Sequence, residues 1–245
     1  MRLARRMNLL GTETAFEVLA KARLLEAEGM DIVHLEIGEP DFDTPSNIVG
    51  VGVEAVRGGY THYGPSPGFQ ELRERIAQEI TDTRNISVSG DNIVVTPGAK
   101  PIMFFVILAL VDEGDEVLYP NPGFPIYESM IRFVGGVPVP MKLHESRGFN
   151  IDVDEVAKQV TSRTKLIVIN SPNNPCGSVM SEDDLRVLAD LAEENDITIM
   201  SDEIYSRFLY EGEHLSVTAF PGLKERTIIL DGFSKTYAMT GWRIG

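Results

Sequence analysis

Thr227-Ile228-Ile229-Leu230-Asp231-Gly232-Phe233-Ser234-Lys235-Thr236-Tyr237-Ala238-Met239-Thr240-Gly241-Trp242-Arg243-Ile244-Gly245 is the last stretch of the sequence. Its opening run, Thr227 to Asp231, is short, apolar and followed by glycine, which predicts a buried strand. Lys235 then falls in the loop that leaves the strand, where open α/β sheets place their ligands. A lysine held in such a crevice can lose its proton and attack a carbonyl, forming a Schiff base. Arg243 lies eight positions further on. The planar fork of an arginine is suited to a phosphate.

Outward from this stretch, the chain alternates strand and helix. Strand readings fall at Ile93–Thr96, Glu116–Tyr119, Val137–Met141, Lys165–Asn170, Ile197–Ser201 and Thr227–Asp231. Helical readings fall between most of them, at Met103–Val111, Asp152–Val160 and Ser181–Asn195. Strands that are apolar throughout and alternate with helices predict a largely parallel sheet covered on both faces. Earlier, Thr14-Ala15-Phe16-Glu17 has the pattern of a capping box, opening a helix that can stop at Gly29. Ile32-Val33-His34-Leu35-Glu36-Ile37 reads as another strand, followed by a loop at Gly38-Glu39-Pro40-Asp41-Phe42. Ser46 can cap a helix that ends near Gly58-Gly59. A Tyr/Gly/Pro-rich loop at 60–68 precedes a helix whose buried face carries Leu72, Ile76 and Ile80.

The bulk properties narrow the classes. The chain has 245 residues, 43% of them hydrophobic, enough for one large core or a domain and part of another. Its formal charge is −15, from 37 acidic and 22 basic residues. Such a balance gives no general attraction to nucleic acid or anionic membrane, and no run is long enough to span a bilayer. Cys176 is the one cysteine, so no disulfide can form within the chain, which fits a cytoplasmic location. The basic N-terminus lacks the apolar core of a signal peptide. His34, His62, His144 and His214 show no metal-ligand spacing, and no metal is expected.

A reactive lysine with a phosphate-gripping arginine suggests pyridoxal 5'-phosphate, an aldehyde that carries a phosphate. Its other demands have candidates, nearly all at the C-terminal ends of strands. Pro97-Gly98-Ala99-Lys100 precedes a helix, and helix starts bind anions through backbone N–H groups, with Gly98 allowing close approach. The side chain of Lys100 reads as solvated. Phe124, after the Pro/Gly turn of Tyr119-Pro120-Asn121-Pro122-Gly123, is either an aromatic wall for the ring or a core residue. In Asn170-Ser171-Pro172-Asn173-Asn174-Pro175-Cys176-Gly177, Asn174 is either a donor to the phenolate oxygen or a turn asparagine. In Ser201-Asp202-Glu203-Ile204-Tyr205, Asp202 is either the partner of the pyridine nitrogen or a helix cap. Ile204 can press on the ring and Tyr205 can donate to the phenolate oxygen. Tyr63 sits in the Gly/Pro loop with no core pattern around it, and Gly38 marks a close backbone approach.

Taken together, these motifs resemble class I, fold type I, pyridoxal-phosphate-dependent aminotransferases of the aspartate aminotransferase superfamily. The resemblance runs over nearly the whole chain and in the family's order. It implies that Lys235 is the Schiff-base lysine and Arg243 a phosphate ligand. Asp202 then pairs with the pyridine nitrogen, while Asn174 and Tyr205 contact the phenolate oxygen. Backbone around Gly98, Ala99 and Lys100, with Ser234, meets the phosphate. Phe124 stacks on the ring and Ile204 lies against it. Tyr63 reaches the phosphate of a partner subunit, which implies a homodimer. Gly38, Phe124 and Asn174 lie near the substrate. Gly232 stands where some relatives carry a serine, and Cys176 where threonine is frequent.

The resemblance also implies a three-layer α/β/α sandwich with a mostly parallel sheet. Residues 1–42 are then an N-terminal arm and the first part of a small domain, and residues 43–245 a large cofactor-binding domain incomplete at its C-terminus. The rest of the small domain, with the arginine that grips the substrate carboxylate, is expected to lie beyond Gly245. The implied activity is transfer of an amino group from an L-amino acid, of aspartate, alanine or aromatic type, to a 2-oxo acid such as 2-oxoglutarate. Two alternatives stand beside it: a β-lyase or cyclopropane-forming synthase on the same fold, and a non-catalytic sensor domain.

Overall fold

The computed structural model describes residues 3–11 and 14–245. Its centre is a six-stranded sheet: β1 (Glu116–Asn121), β2 (Val137–His144), β3 (Asn150–Ile151), β4 (Thr164–Asn170), β5 (Thr198–Asp202) and β6 (Thr227–Leu230). The spatial order is β3-β2-β1-β4-β5-β6. Every pairing is parallel except that of β2 with β3. The chain runs outward from β1 to β2 on one side, then returns to β4 and runs outward on the other. The crevice between the C-terminal ends of β1 and β4 is therefore the point where the winding reverses, which in this architecture is where ligands bind.

Alternation of side chains along the strands makes the three expected layers. Leu118, Ile167, Ile169 and Ile199 face one core, with Leu185, Leu188, Ala189 and Ala192 of α7 (Glu182–Glu194) and Val156 of α6 (Val153–Gln159). Val117, Tyr119, Leu166, Val168 and Met200 face the other, with Met103, Val106 and Ile107 of α4 (Lys100–Leu110) and Tyr127, Met130 and Ile131 of α5 (Ile126–Val134). The helix signals are local. Ser181 accepts the Asp184 N–H at 3.1 Å and Asp152 the Asp154 N–H at 3.0 Å, each satisfying an otherwise unpaired donor. Gly135, at φ 90°, ends α5 in the left-handed conformation that glycine adopts without a Cβ clash.

The earlier helices are α1 (Thr14–Ala27), α2 (Ser46–Arg57) and α3 (Gln70–Arg84). Ser46 is the first residue of α2, not the cap expected, and Pro45 before it makes no side-chain cap; Thr14 opens the described part of α1. Ala77, Ile80 and Arg84 form the buried side of α3. An arginine on a buried face needs carboxylate partners, and Arg84 finds two near the site.

Two expected strands are absent. Residues 32–37 pair with no strand and bend at Glu36 and Ile37, leaving Val33 80% and Leu35 88% exposed. His34 is instead pinned between Glu26 (2.8 Å) and Glu36 (2.6 Å). Residues 93–96 form no strand either: the Val95 N–H bonds the Pro67 carbonyl at 2.9 Å, and only Thr96 is paired in both directions. It exchanges both backbone hydrogen bonds with Gly245, at 2.8 and 2.9 Å. A strand is defined by its neighbour, and β-propensity cannot supply one. A groove of about 680 Å³ runs from α3 to the edge of β6, lined by Ile76, Ile80, Ile93, Val94, Ile228 and Ile229. It reaches the lysine loop at Gly232, Phe233, Thr236 and Tyr237, without Lys235 itself in its lining. Among the described residues, no helix is long and apolar enough to cross a membrane.

Candidate active site

The strand register gathers the predicted residues at one edge of the sheet. Asn170 of β4 pairs with Asp202 of β5, and Asp202 with Leu230 of β6, so three strand ends form one row. The loops beyond them carry Asn174, Ile204, Tyr205, Ser234 and Lys235. Asn170 stitches two of these loops together: its side-chain amide donates to the Asp202 carbonyl at 3.1 Å, and its oxygen accepts the Asn174 N–H at 2.8 Å. The half-buried Asn174 is thus placed by a neighbouring side chain.

Lys235 is half-buried, with its Nζ 5.9 Å from the centre of the Tyr205 ring and donating to the Gly38 carbonyl. Burial holds its ammonium below the ordinary lysine range, opposed by Glu39 and reinforced by Arg243. Gly38 therefore meets the lysine directly, as part of a strap over the lysine loop. Thr240 bonds Glu39 at 3.1 Å, Trp242 donates to Thr44 at 3.1 Å, and Thr44 donates to the Ala238 carbonyl.

Asp202 is 3% exposed, and no helix begins after it, so it does not cap one. Tyr127 donates to its Oδ2, and the Ile204 N–H donates to its Oδ1 at 3.3 Å. Burial pushes its carboxyl up to about 7, against the lowering effect of those two donors; Asp231 and Glu203 push it further in the same direction. Burial also raises the Tyr205 phenol, helped by the Asp202 charge. Tyr127 is a buried partner of Asp202 that the sequence reading missed. The available signal was a tyrosine on the buried face of an amphipathic helix, where its hydroxyl must find a partner.

At the phosphate turn, Gly98 has φ 92°, and a Cβ there would stand 2.2 Å from Nη2 of Arg243. The glycine is needed because the guanidinium fills its place. Arg243 also donates to the Thr240 carbonyl at 2.7 Å, and Ala99 and Lys100 open α4 beside it. An arginine against a helix start is a strong setting for a phosphate. Half-buried Phe124 stands edge-to-face with Tyr127, ring centres 6.1 Å apart, and the Lys100 ammonium lies 5.7 Å from its ring. Tyr63, in the Gly/Pro loop, is fully exposed.

Behind the site lies a second buried constellation. Arg84 donates to Glu203 at 2.9 Å, to Asp231 at 3.0 Å and to Ser206 at 3.1 Å. His214 Nε2 is 3.0 Å from Glu203 but poorly aligned for a hydrogen bond. Burial pushes the Glu203 carboxyl up, but His214 and the Arg84 charge outweigh it and hold the group below its usual range. Burial likewise pushes Asp231 up to about 6, with Arg84 opposing.

A lysine with a lowered pKa, a buried carboxylate and an arginine-backed helix start, gathered past the C-terminal ends of the parallel strands, suit a phosphorylated carbonyl cofactor. The chain belongs to the class I and II aminotransferase family, whose sequence profile matches residues 30–245. That family depends on pyridoxal phosphate, and this donor set fits it. The chain is 44% identical to a probable aspartate/prephenate aminotransferase of Aquifex aeolicus, over 99% of its own length and 62% of the relative's. It is 43% identical to a (5-formylfuran-3-yl)methyl phosphate transaminase of Methanocaldococcus jannaschii, over 94% of this chain and 59% of that one. The structure of an aspartate aminotransferase from Thermus thermophilus with maleate superposes with a TM-score of 0.96 at 42% identity, covering 100% of this chain and 64% of that one. The chain thus spans somewhat less than two thirds of the length of these relatives.

Proposed function

We propose that this chain carries the cofactor site of a pyridoxal-phosphate-dependent aminotransferase that moves an amino group from an L-amino acid to a 2-oxo acid. The observation that carries the reading is the meeting of Lys235, Asp202 and the Gly98–Arg243 contact at one sheet edge. The cofactor supplies an electrophilic aldehyde and a ring that accepts electrons. Lys235 would hold it, Arg243 with the backbone of Gly98, Ala99 and Lys100 and with Ser234 would receive its phosphate, and Phe124 and Ile204 would flank its ring. Asn174 and Tyr205 would donate to its phenolate oxygen. Asp202 would keep a proton on the ring nitrogen, since a carboxylate favours the cationic ring. A lowered lysine pKa leaves more of the neutral amine, which serves as nucleophile and as the base that moves a proton on the substrate.

The names of the relatives favour an aspartate-type donor, and an acceptor such as 2-oxoglutarate belongs to the same reading. The phosphate-bearing substrate named for the Methanocaldococcus relative, at nearly equal identity, shows that identity alone does not choose the substrate. The full exposure of Tyr63 supports its role toward a partner subunit, and hence a homodimer. A division near residue 42 and a cytoplasmic location belong to the same reading. The test is Lys235→Ala. Pyridoxal phosphate added to the unmutated protein should give a pH-dependent visible band and, after borohydride, a stable adduct on the Lys235 peptide by mass spectrometry. An unchanged spectrum in the variant, or an adduct on another lysine, would refute the assignment.

A further inference from the structure

We infer that the Tyr127 hydroxyl is the positioning group for Asp202, orienting and charging that carboxylate for a cationic ring nitrogen. The inference rests on the cofactor reading above and adds a residue to it. Tyr127 is 0% exposed, and its hydroxyl reaches Oδ2 of Asp202. A buried phenol without a partner is costly, so this pairing fixes the rotamer of both side chains. The Ile204 N–H holds the other oxygen at 3.3 Å. The Asp202 backbone is fixed independently, by its ladder to β6 and by the Asn170 amide at 3.1 Å. With the backbone set by the sheet and both oxygens given donors, the plane of the carboxylate is set by Tyr127.

The charges around Asp202 show why a donor is needed. Glu203 is its chain neighbour, Asp231 directly follows the adjacent β6 strand, and Tyr205 lies in the loop after β5. Two carboxylates and burial all disfavour ionisation. Tyr127 and the Ile204 N–H act the other way, because hydrogen bonds to a carboxylate favour its charged form. Tyr127 also meets Phe124 edge-to-face, so one side chain supports both the proposed ring wall and the proposed ring anchor. Tyr127 is the second residue of α5, and the proposed wall Phe124 lies just before that helix.

The experiment compares unmutated protein, Tyr127→Phe and Asp202→Asn with two ligands. One is pyridoxal phosphate; the other is its carbocyclic analogue, with C–H in place of the ring nitrogen. A hydrogen bond to a charged group, once lost, weakens binding about tenfold or more. Tyr127→Phe should therefore lose about tenfold in affinity for pyridoxal phosphate and change little toward the analogue. In cofactor-free protein, carbon-13 NMR of the Asp202 carboxyl should show its midpoint higher in Tyr127→Phe. Equal losses for both ligands would mark Tyr127 as a packing residue and overturn the inference. So would unchanged binding in Tyr127→Phe when Asp202→Asn weakens pyridoxal phosphate. If Asp202→Asn matches the unmutated protein with both ligands, the cofactor reading itself falls, and this inference with it. If Tyr127→Phe does not fold, 3-fluorotyrosine at position 127, a better donor, should move the Asp202 midpoint down; no movement would overturn the inference.

Discussion

Replacing Arg84 with methionine should cost stability in a way that depends on pH. The guanidinium is 4% exposed and bonds Glu203, itself 1% exposed, at 2.9 Å. It also reaches Asp231 at 3.0 Å. Methionine keeps much of the volume but takes the guanidinium from both carboxylates, leaving Glu203 with His214 as its basic partner. Breaking a buried pair by removing one partner costs about 3–5 kcal/mol. Glu203 keeps the hydroxyls of Ser201 and Ser216, so the lower figure, about 3 kcal/mol, is expected. For a chain of this size that lowers the melting temperature by roughly 6–12 °C. The folded Glu203 pKa is depressed, so its contribution is present above the unfolded value of about 4.3 and is lost as pH falls through the folded one. In Arg84→Met both carboxyls lose a lowering charge and rise, Asp231 from about 6 and Glu203 less far because His214 still holds it down. Protonation then relieves the variant, and its deficit should shrink between pH 8 and pH 5. Urea unfolding followed by circular dichroism at both pH values measures this. A deficit below about 1 kcal/mol at pH 8, the scale of a surface pair, would refute the reasoning. So would a deficit identical at the two pH values.

Asp202→Asn should steady the cofactor-free protein at high pH. Asp202 has a raised pKa, so the stabilising protonated form is fully present below its unfolded value and is lost as pH rises through about 7. Thermal melts at pH 5.5 and 8 should show the unmutated protein losing more stability across that interval than the variant; equal losses would place the burial cost elsewhere. Gly98→Ala puts a Cβ 2.2 Å from the Arg243 guanidinium at a φ of 92°, a strained and occupied position. Affinity for pyridoxal phosphate should fall while affinity for pyridoxal, which lacks the phosphate, stays the same; parallel losses would remove Arg243 and this turn from the phosphate site.

Much of the site was legible in the residues because its signals are local. Strand periodicity, a Pro/Gly turn and a polar residue just past an apolar run lie within a few positions of one another, as in Leu230 to Lys235 or Met200 to Tyr205. Those patterns yielded the three layers and set Lys235, Asn174 and Asp202 at strand ends. The pleat then did the rest, sending Leu166 and Val168 to one core and Ile167 and Ile169 to the other. What the tertiary structure alone decided were matters of partnership. Residues 32–37 and 93–96 have strand-like composition, yet a strand requires a neighbouring backbone, and none lines up along either segment. Tyr127 and Asp202 are 75 positions apart, and Arg84 and Glu203 are 119 apart. Nothing in either local sequence names the other, because a buried hydroxyl or guanidinium declares only that it needs a partner. Which carboxylate answers depends on how the helices settle on the sheet.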